Sequence, residues 1–233
     1  MSKPLLVVLT GAGISAESGL ATFRGAGGLW EGHDVMEVAS IEGWYRNPAL
    51  VLSFYNSRRQ AAAQAKPNAG HLALAALEQF FEVRIITQNV DDLHERAGST
   101  QVLHLHGKLT ELRSVNNPRL VFPYTKDVHL GDLASDGSQL RPNIVWFGEA
   151  VPLMEQAQSW VRQAAAFAVI GTSLQVYPAA GLIYDVHHAI PKFLIDPKAV
   201  GTASIPNLQW IAEPATSGVE KMAEVLRKIM DID

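Results

Sequence analysis

A doubly wound, parallel α/β fold carrying a smaller inserted lobe is the class this sequence predicts, on three observations. Short apolar runs alternate with segments of helical spacing along most of the chain. The first run, Leu5 to Leu9, is apolar at every position, as a parallel strand covered on both faces must be. Polar clusters rich in Gly, Asn and Thr follow several of these runs directly, which is where open α/β sheets hold their ligands.

Taken in order, Leu5 to Leu9 is the first strand, and Gly11 and Gly13 turn the chain at its end. Those glycines can bring backbone N–H groups close to a ligand, and Ile14 to Leu20 can begin a helix whose N-terminus favours an anion. Arg24 to Trp30 reads as a glycine-rich loop able to close over a ligand. Asp34 to Ala39 reads as a short helix; Asn47-Pro48 opens a longer one to Ala65, which Lys66-Pro67 ends. Ala69 to Phe81 has an Ala/Leu face at helical spacing and leads into a strand from Val83 to Thr87. Further strands are expected at Val102 to Leu105, Ile144 to Phe147, Phe167 to Ile170 and Lys192 to Ile195. Helices are expected at Pro152 to Ala166, Pro178 to Ala189 and, amphipathically, Val219 to Met230.

Two stretches break the rhythm. Residues 31–68 are helical without a strand, and residues 108–142 contain the turn-like Asn116-Asn117-Pro118, Phe122-Pro123 and Ser135-Asp136-Gly137-Ser138. These insertions are predicted to form the small lobe, with residues 1–30, 69–107 and 143–233 forming the main domain and a ligand cleft between the two.

The chain has 233 residues, of which 48% are hydrophobic and 18% charged, enough for one large or two small domains with a proper core. A net charge of -4 gives no general attraction to nucleic acid or to an anionic membrane, so neither is expected as a partner. Cysteine is absent, which excludes disulfides, a thiolate nucleophile and cysteine-ligated zinc. No apolar run reaches membrane-spanning length, and Met1-Ser2-Lys3-Pro4 leads into a core strand without a signal-peptide pattern. A cytoplasmic monomer is the expectation.

Gly11-x-Gly13-x-x-Ala16 meets the dinucleotide fingerprint only in its Gly/Ala form, and no acidic residue closes a second strand about 20 residues on. Glu31 stands near that distance, but in the glycine-rich loop. A purely structural strand-to-helix turn explains the glycines equally well; Ser15, Ser18, Thr22 and Arg24, with their hydroxyls and guanidinium, add weight to a phosphate site.

Three polar clusters close later runs. In Gln88-Asn89-Val90-Asp91-Asp92, amides can hold a ribose or carboxamide and Asp91 can accept from an amide or hydroxyl. A cap on the helical Leu93 to Arg96 explains one of these residues but not the run. In Val102-Leu103-His104-Leu105-His106-Gly107, both histidines share a strand face, and His106, with an unperturbed pKa of about 6.5, is the candidate general base. A structural, hydrogen-bonded imidazole is the alternative, and a metal pair lacks a third ligand at suitable spacing. Gly171-Thr172-Ser173 again suits a phosphate or ribose. Val145 to Glu149 and Gln175 to Pro178 offer two backbone edges between which an extended peptide could lie.

As a set, Gly11 to Gly19 with Phe23-Arg24, Gln88 to Asp91, Leu105-His106-Gly107, Phe147-Gly148-Glu149 and Gly171-Thr172-Ser173 resemble the sirtuins, the NAD-dependent protein lysine deacylases. The resemblance spans residues 5 to about 200 and implies a Rossmann-type NAD domain plus a small lobe. By resemblance, NAD would be held by Gly11, Ala12, Gly13, Ser15, Glu17, Thr22, Phe23, Arg24, Trp30, Gln88, Asn89, Asp91, Gly171, Thr172, Ser173, Asp196 and Ala212. Phe23 would shield the reactive sugar carbon, while Gln88, Asn89 and Asp91 would place the nicotinamide ribose and carboxamide. His106 would be the base that deprotonates a ribose hydroxyl, with Asn89 beside it in the catalytic pair. In the family mechanism the acyl oxygen attacks the sugar carbon as nicotinamide leaves, and the acyl group ends on ADP-ribose while lysine is freed.

Ala39, Tyr55 and Arg58 match the class III branch, in which a small residue leaves room in the acyl pocket and a Tyr-x-x-Arg pair holds a carboxylate. Tyr55 and Arg58 fall one turn apart on the expected helix, so both can face one pocket. Succinyl or malonyl lysine in proteins is the implied substrate, with Val145, Trp146, Phe147, Gly148 and Glu149 completing its site. Without the resemblance, Arg58-Arg59 reads as an exposed helix face. Two departures stand out. The four zinc-binding cysteines usual between the His106 and Phe147 regions are missing, with Arg113-Ser114-Val115-Asn116 where the first pair is expected, so no zinc is expected and ordinary packing must hold that lobe. Asp196 stands where the family commonly has Asn. A mono-ADP-ribosyltransferase and a non-catalytic module that binds NAD or ADP-ribose are the alternative functions.

Overall fold

The computed structural model describes residues 3–22, 29–198 and 205–231. In chain order its strands are β1 (Leu5–Thr10), β2 (Leu29–Trp30), β3 (His33–Asp34), β4 (Glu82–Thr87), β5 (Val102–His104), β6 (Gly107–Ser114), β7 (Val121–Pro123), β8 (Leu140–Ile144), β9 (Ala166–Ile170), β10 (Lys192–Ile195) and β11 (Leu208–Ile211). The α-helices are α1 (Val35–Val38), α2 (Ile41–Arg46), α3 (Pro48–Gln64), α4 (Ala69–Ala76), α5 (Leu93–Arg96), α6 (Met154–Gln163) and α7 (Ala215–Ile229).

Six strands form one sheet in the order β11-β10-β9-β1-β4-β5, with all neighbours parallel. This is the Rossmann order, and the chain reverses its direction of growth at β1. Strand periodicity sorts the side chains into two layers. Leu6, Val8, Ile85 and Ile170 pack towards α4 and α7, while Val7, Leu9, Ile86 and Val169 pack towards α6 and the 3-10 turn at Ala179–Tyr184. Both faces are therefore covered, which is why β1 could be apolar throughout.

A separate core joins α1, α2 and α3 to the antiparallel sheet β7-β6-β8, through Val38, Trp44, Leu52, Tyr55, Leu112, Ile144 and Trp146. Its far end is closed by hydrogen bonds in the region where cysteines were expected. Buried Ser114 accepts from the backbone N–H groups of Asn116 and Asn117 and donates to Asp136 at 2.6 Å; Asp136 in turn accepts from the Ser138 N–H. Local side-chain bonds of this kind fix turns without a metal. Among the described residues, no group of three or more His, Cys, Asp or Glu is placed to hold a metal ion. Among them, too, no helix is long and apolar enough to cross a membrane.

Four expectations need correcting. The run Ile144 to Phe147 is not a strand of the parallel sheet: Ile144 ends β8, and Trp146 is buried in the lobe core instead. The helix expected from Pro178 to Ala189 reaches only Tyr184, because the buried Lys192 ammonium draws the carbonyls of His187, His188 and Ile190 to itself. The helix expected from Ile14 is a tight 3-10 segment, Ala12–Ser18, stopped by Gly19 at φ 85°. The end of the expected glycine-rich loop is β2, and its hairpin partner β3 is a strand within residues 31–68, which were expected to hold none.

Candidate active site

Register sets the site. Thr10 is level with Thr87 and with Ile170, and Ile170 is level with Ile195. The residues that follow, Gly11, Gln88, Gly171 and Asp196, therefore leave the sheet in one row along its C-terminal edge, at the switch point of the strand order. A cavity of about 510 Å³ opens over this row.

The glycines on that row are needed where two loops cross. A Cβ on Gly13 would lie 2.6 Å from the Gly171 Cα, and one on Gly171 would lie 2.4 Å from the Ile14 N. Gly171 also has φ +63°, which only glycine adopts easily. The Gly11 N–H is donated to the Ile170 carbonyl and the Gly13 N–H to the Gly171 carbonyl. The expectation that these two N–H groups are offered to a ligand is thus corrected: they stitch the loops together, and the absence of side chains keeps the floor of the cavity open. Thr172, Ser173, Gln88, Asn89, Asp91 and Asp196 line the same cavity with hydroxyls, amides and carboxylates. The hydroxyls and amides can donate to the diphosphate and carboxamide oxygens of NAD, and the carboxylates can accept from its ribose hydroxyls and carboxamide N–H.

Asn89 and Asp91 are buried and tied through Ser15, which accepts from the Asn89 amide at 3.2 Å and donates to the Asp91 carboxylate at 3.1 Å. Ser15 is itself buried and stands behind the cavity wall rather than in it. Burial raises the Asp91 carboxyl, an effect that the Leu93 N–H and the Ser15 hydroxyl oppose. His106 lines the cavity, and its Nδ1 lies 3.1 Å from the Gln88 carbonyl. A carbonyl only accepts, so Nδ1 carries the proton and Nε2 is the basic nitrogen. Burial lowers the His106 pKa, partly countered by that carbonyl, and keeps the ring neutral at pH 7. His104, its partner in the sequence, points elsewhere: it bridges the Asn89 carbonyl and the Glu95 carboxylate.

The lobe supplies the opposite wall. Ala39, Tyr55 and Arg58 line the cavity together with Trp146. The Tyr55 hydroxyl accepts from the Trp146 indole N–H at 3.0 Å, and the Arg58 guanidinium lies under the Trp30 ring, 5.0 Å from its centroid. Arg58 is therefore no exposed helix face: it is 8% exposed and pairs with Glu31 at 2.8 Å. Val145, Phe147, Gly148 and Glu149 also line the cavity. The Glu149 carboxylate is engaged by Arg141, Arg113 and the Trp146 N–H, so it holds the loop in shape. The N–H groups of Val145, Trp146, Phe147 and Glu149 go to the His106 carbonyl, the Glu149 carboxylate, the Ala39 carbonyl and the Trp146 carbonyl, so the edge expected for a peptide from Val145 to Glu149 is largely occupied by bonds within the chain.

Of the remaining sequence candidates, Ala12, Glu17, Thr22 and Trp30 line the cavity, Ala212 lies outside its lining, and Phe23 and Arg24 fall outside the described residues. Lys198 and Pro214 line it without having been singled out, and Val176, from the second expected peptide edge, lines it too. The position of Lys198 just after the polar end of β10 was the one available signal.

A family model described as the Sir2 family matches residues 11–178. The chain is 56% identical over 227 residues to an NAD-dependent protein deacylase of Helicobacter pylori, covering 97% of this chain and 98% of that protein. It is 52% identical over 227 residues to an NAD-dependent protein deacylase of Bacteroides thetaiotaomicron, covering 95% and 97%. A solved Sir2 homolog–NAD complex superposes with a TM-score of 0.86 at 36% identity, covering 98% of this chain and 91% of that one. Sequence, sheet order and cleft thus agree: the chain belongs to the Sir2 family.

Proposed function

We propose that this protein is an NAD-dependent protein lysine deacylase that prefers succinyl and malonyl groups to acetyl, giving nicotinamide, O-acyl-ADP-ribose and free lysine. The observation that carries the acyl preference is that the buried Arg58 and Tyr55 both line the cavity that His106 also lines. The guanidinium fork suits a carboxylate, and the partner that it holds in this structure, Glu31, is one. Residues 31–68 and 108–142 act as the lobe that reads the acyl group, and the rest of the chain acts as the nucleotide domain.

NAD, when bound, supplies an electrophilic sugar carbon with a good leaving group. Gln88, Asn89 and Asp91 orient the nicotinamide end, Asn89 being steadied by Ser15, and Thr172, Ser173 and Asp196 hold the rest. His106, neutral through burial, takes a proton at Nε2 from a ribose hydroxyl. A neutral acyl amide is a weak nucleophile, so alignment by the two walls supplies much of the rate.

Removing one partner of a buried charge pair costs about 2–5 kcal/mol, or roughly thirtyfold and upwards. Arg58→Met is therefore expected to lower kcat/KM for a succinyl-lysine peptide by about thirtyfold or more, and that for the matched acetyl-lysine peptide far less. Equal losses on both peptides would contradict the pocket assignment.

A further inference from the structure

The hairpin β2–β3 places a carboxylate of the chain itself on the arginine assigned to the substrate. Trp30 pairs with His33, leaving Glu31 and Gly32 as a two-residue turn with φ 51° and 82°. Such a turn takes Asn, Asp or Gly readily and glutamate poorly, which points to a role for the Glu31 side chain rather than its backbone. That side chain contributes the oxygen 2.8 Å from Arg58 Nη1, and it is 45% exposed where the Arg58 side chain is 9% exposed. The hairpin is docked on α3 by aromatic contacts: Trp30 and His33 meet Phe54 edge-on at 5.1 and 5.7 Å. Arg58 Nε has no hydrogen-bond partner.

From this geometry we infer that Glu31 is an internal competitor for the acyl carboxylate, a specificity-determining residue that neutralises Arg58 until an acidic acyl group displaces it. The inference rests on the acyl preference proposed above. A dicarboxylic acyl group meets Arg58 only by exchanging one ion pair for another, and the half-exposed Glu31 is the partner that can leave into water. An acetyl group leaves the Arg58–Glu31 pair closed. Glu31 therefore lowers the discrimination between acidic and neutral acyl groups.

The test is steady-state kinetics at saturating NAD on matched succinyl- and acetyl-lysine peptides, for wild type, Glu31→Gln, Glu31→Asn and Arg58→Met. The turn accepts asparagine more easily than glutamine, so Glu31→Asn separates loss of charge from loss of the turn. Both Glu31 variants are expected to lower KM for the succinyl peptide and to raise the succinyl-over-acetyl ratio of kcat/KM by about three- to tenfold, the scale of a partly exposed ion pair. A ratio that falls or stays level in both variants, while Arg58→Met still removes the succinyl preference, would overturn the inference and leave the pocket assignment standing. If Arg58→Met spares the preference, the pocket assignment itself fails.

Discussion

His106 is half-buried and Arg58 buried, and the loss of water acts on the two ionisable groups in different ways. For His106 it lowers the pKa and so maintains the neutral base. The sign of the pH effect follows: protonation removes the base, and the transition lies below the ordinary value of about 6.5. The acid limb of kcat/KM against pH is expected to have its midpoint below 6.5, with a plateau across neutral pH; a midpoint at or above 6.5 would contradict the role. For Arg58 it favours a counter-ion, and Glu31 is the one held. His106 was legible from sequence as a polar residue ending an apolar run, whereas Glu31 was not, because its importance depends on a turn that brings it across to α3. Ser15 was legible as polar but misread as facing a ligand, since only the fold reveals that it links Asn89 to Asp91.

At the scale of elements, the strands β1, β4, β9 and β10 were readable because their environment is simple: both faces are covered, so the run is apolar. Trp146 shows where that logic misleads, since an apolar run can equally be buried by helices of the lobe. β11 was missed because it is an edge strand in which Gln209 and Trp210 are exposed. The lobe strands β6, β7 and β8 were hidden among turn residues, and their closure by Ser114 depends on contacts across the lobe. Ser114→Ala would leave the Asn116 and Asn117 N–H groups without this acceptor, a loss of about 1–3 kcal/mol. Chemical denaturation is expected to show that loss; a variant as stable as wild type would mean that the turns are held by packing alone.

For the whole molecule, the Rossmann strand order brings four loop starts to one edge, and the lobe brings Tyr55 and Arg58 across from them. The same compact packing buries His71 and His94 edge to face between α4 and α5, with centroids 4.9 Å apart. Burial lowers His71 to about 4, and burial together with His71 lowers His94 to about 3. The unfolded chain binds these protons more readily, so their contribution is complete above pH 6.5 and is lost as pH falls towards 4 and 3. The melting temperature is expected to drop over that window, and His94→Gln is expected to flatten the drop; an unchanged slope would show that other groups govern acid unfolding.

The central claim joins NAD chemistry at one wall of the cleft to recognition of an acidic acyl group at the other. It is tested most directly by incubating the protein with NAD and equimolar succinyl- and acetyl-lysine peptides in one tube, followed by mass spectrometry. The account predicts that the succinyl peptide is consumed first, with succinyl-ADP-ribose and nicotinamide formed in step. Equal or faster loss of the acetyl peptide would contradict the preference, and the absence of any acyl-ADP-ribose would contradict the reaction.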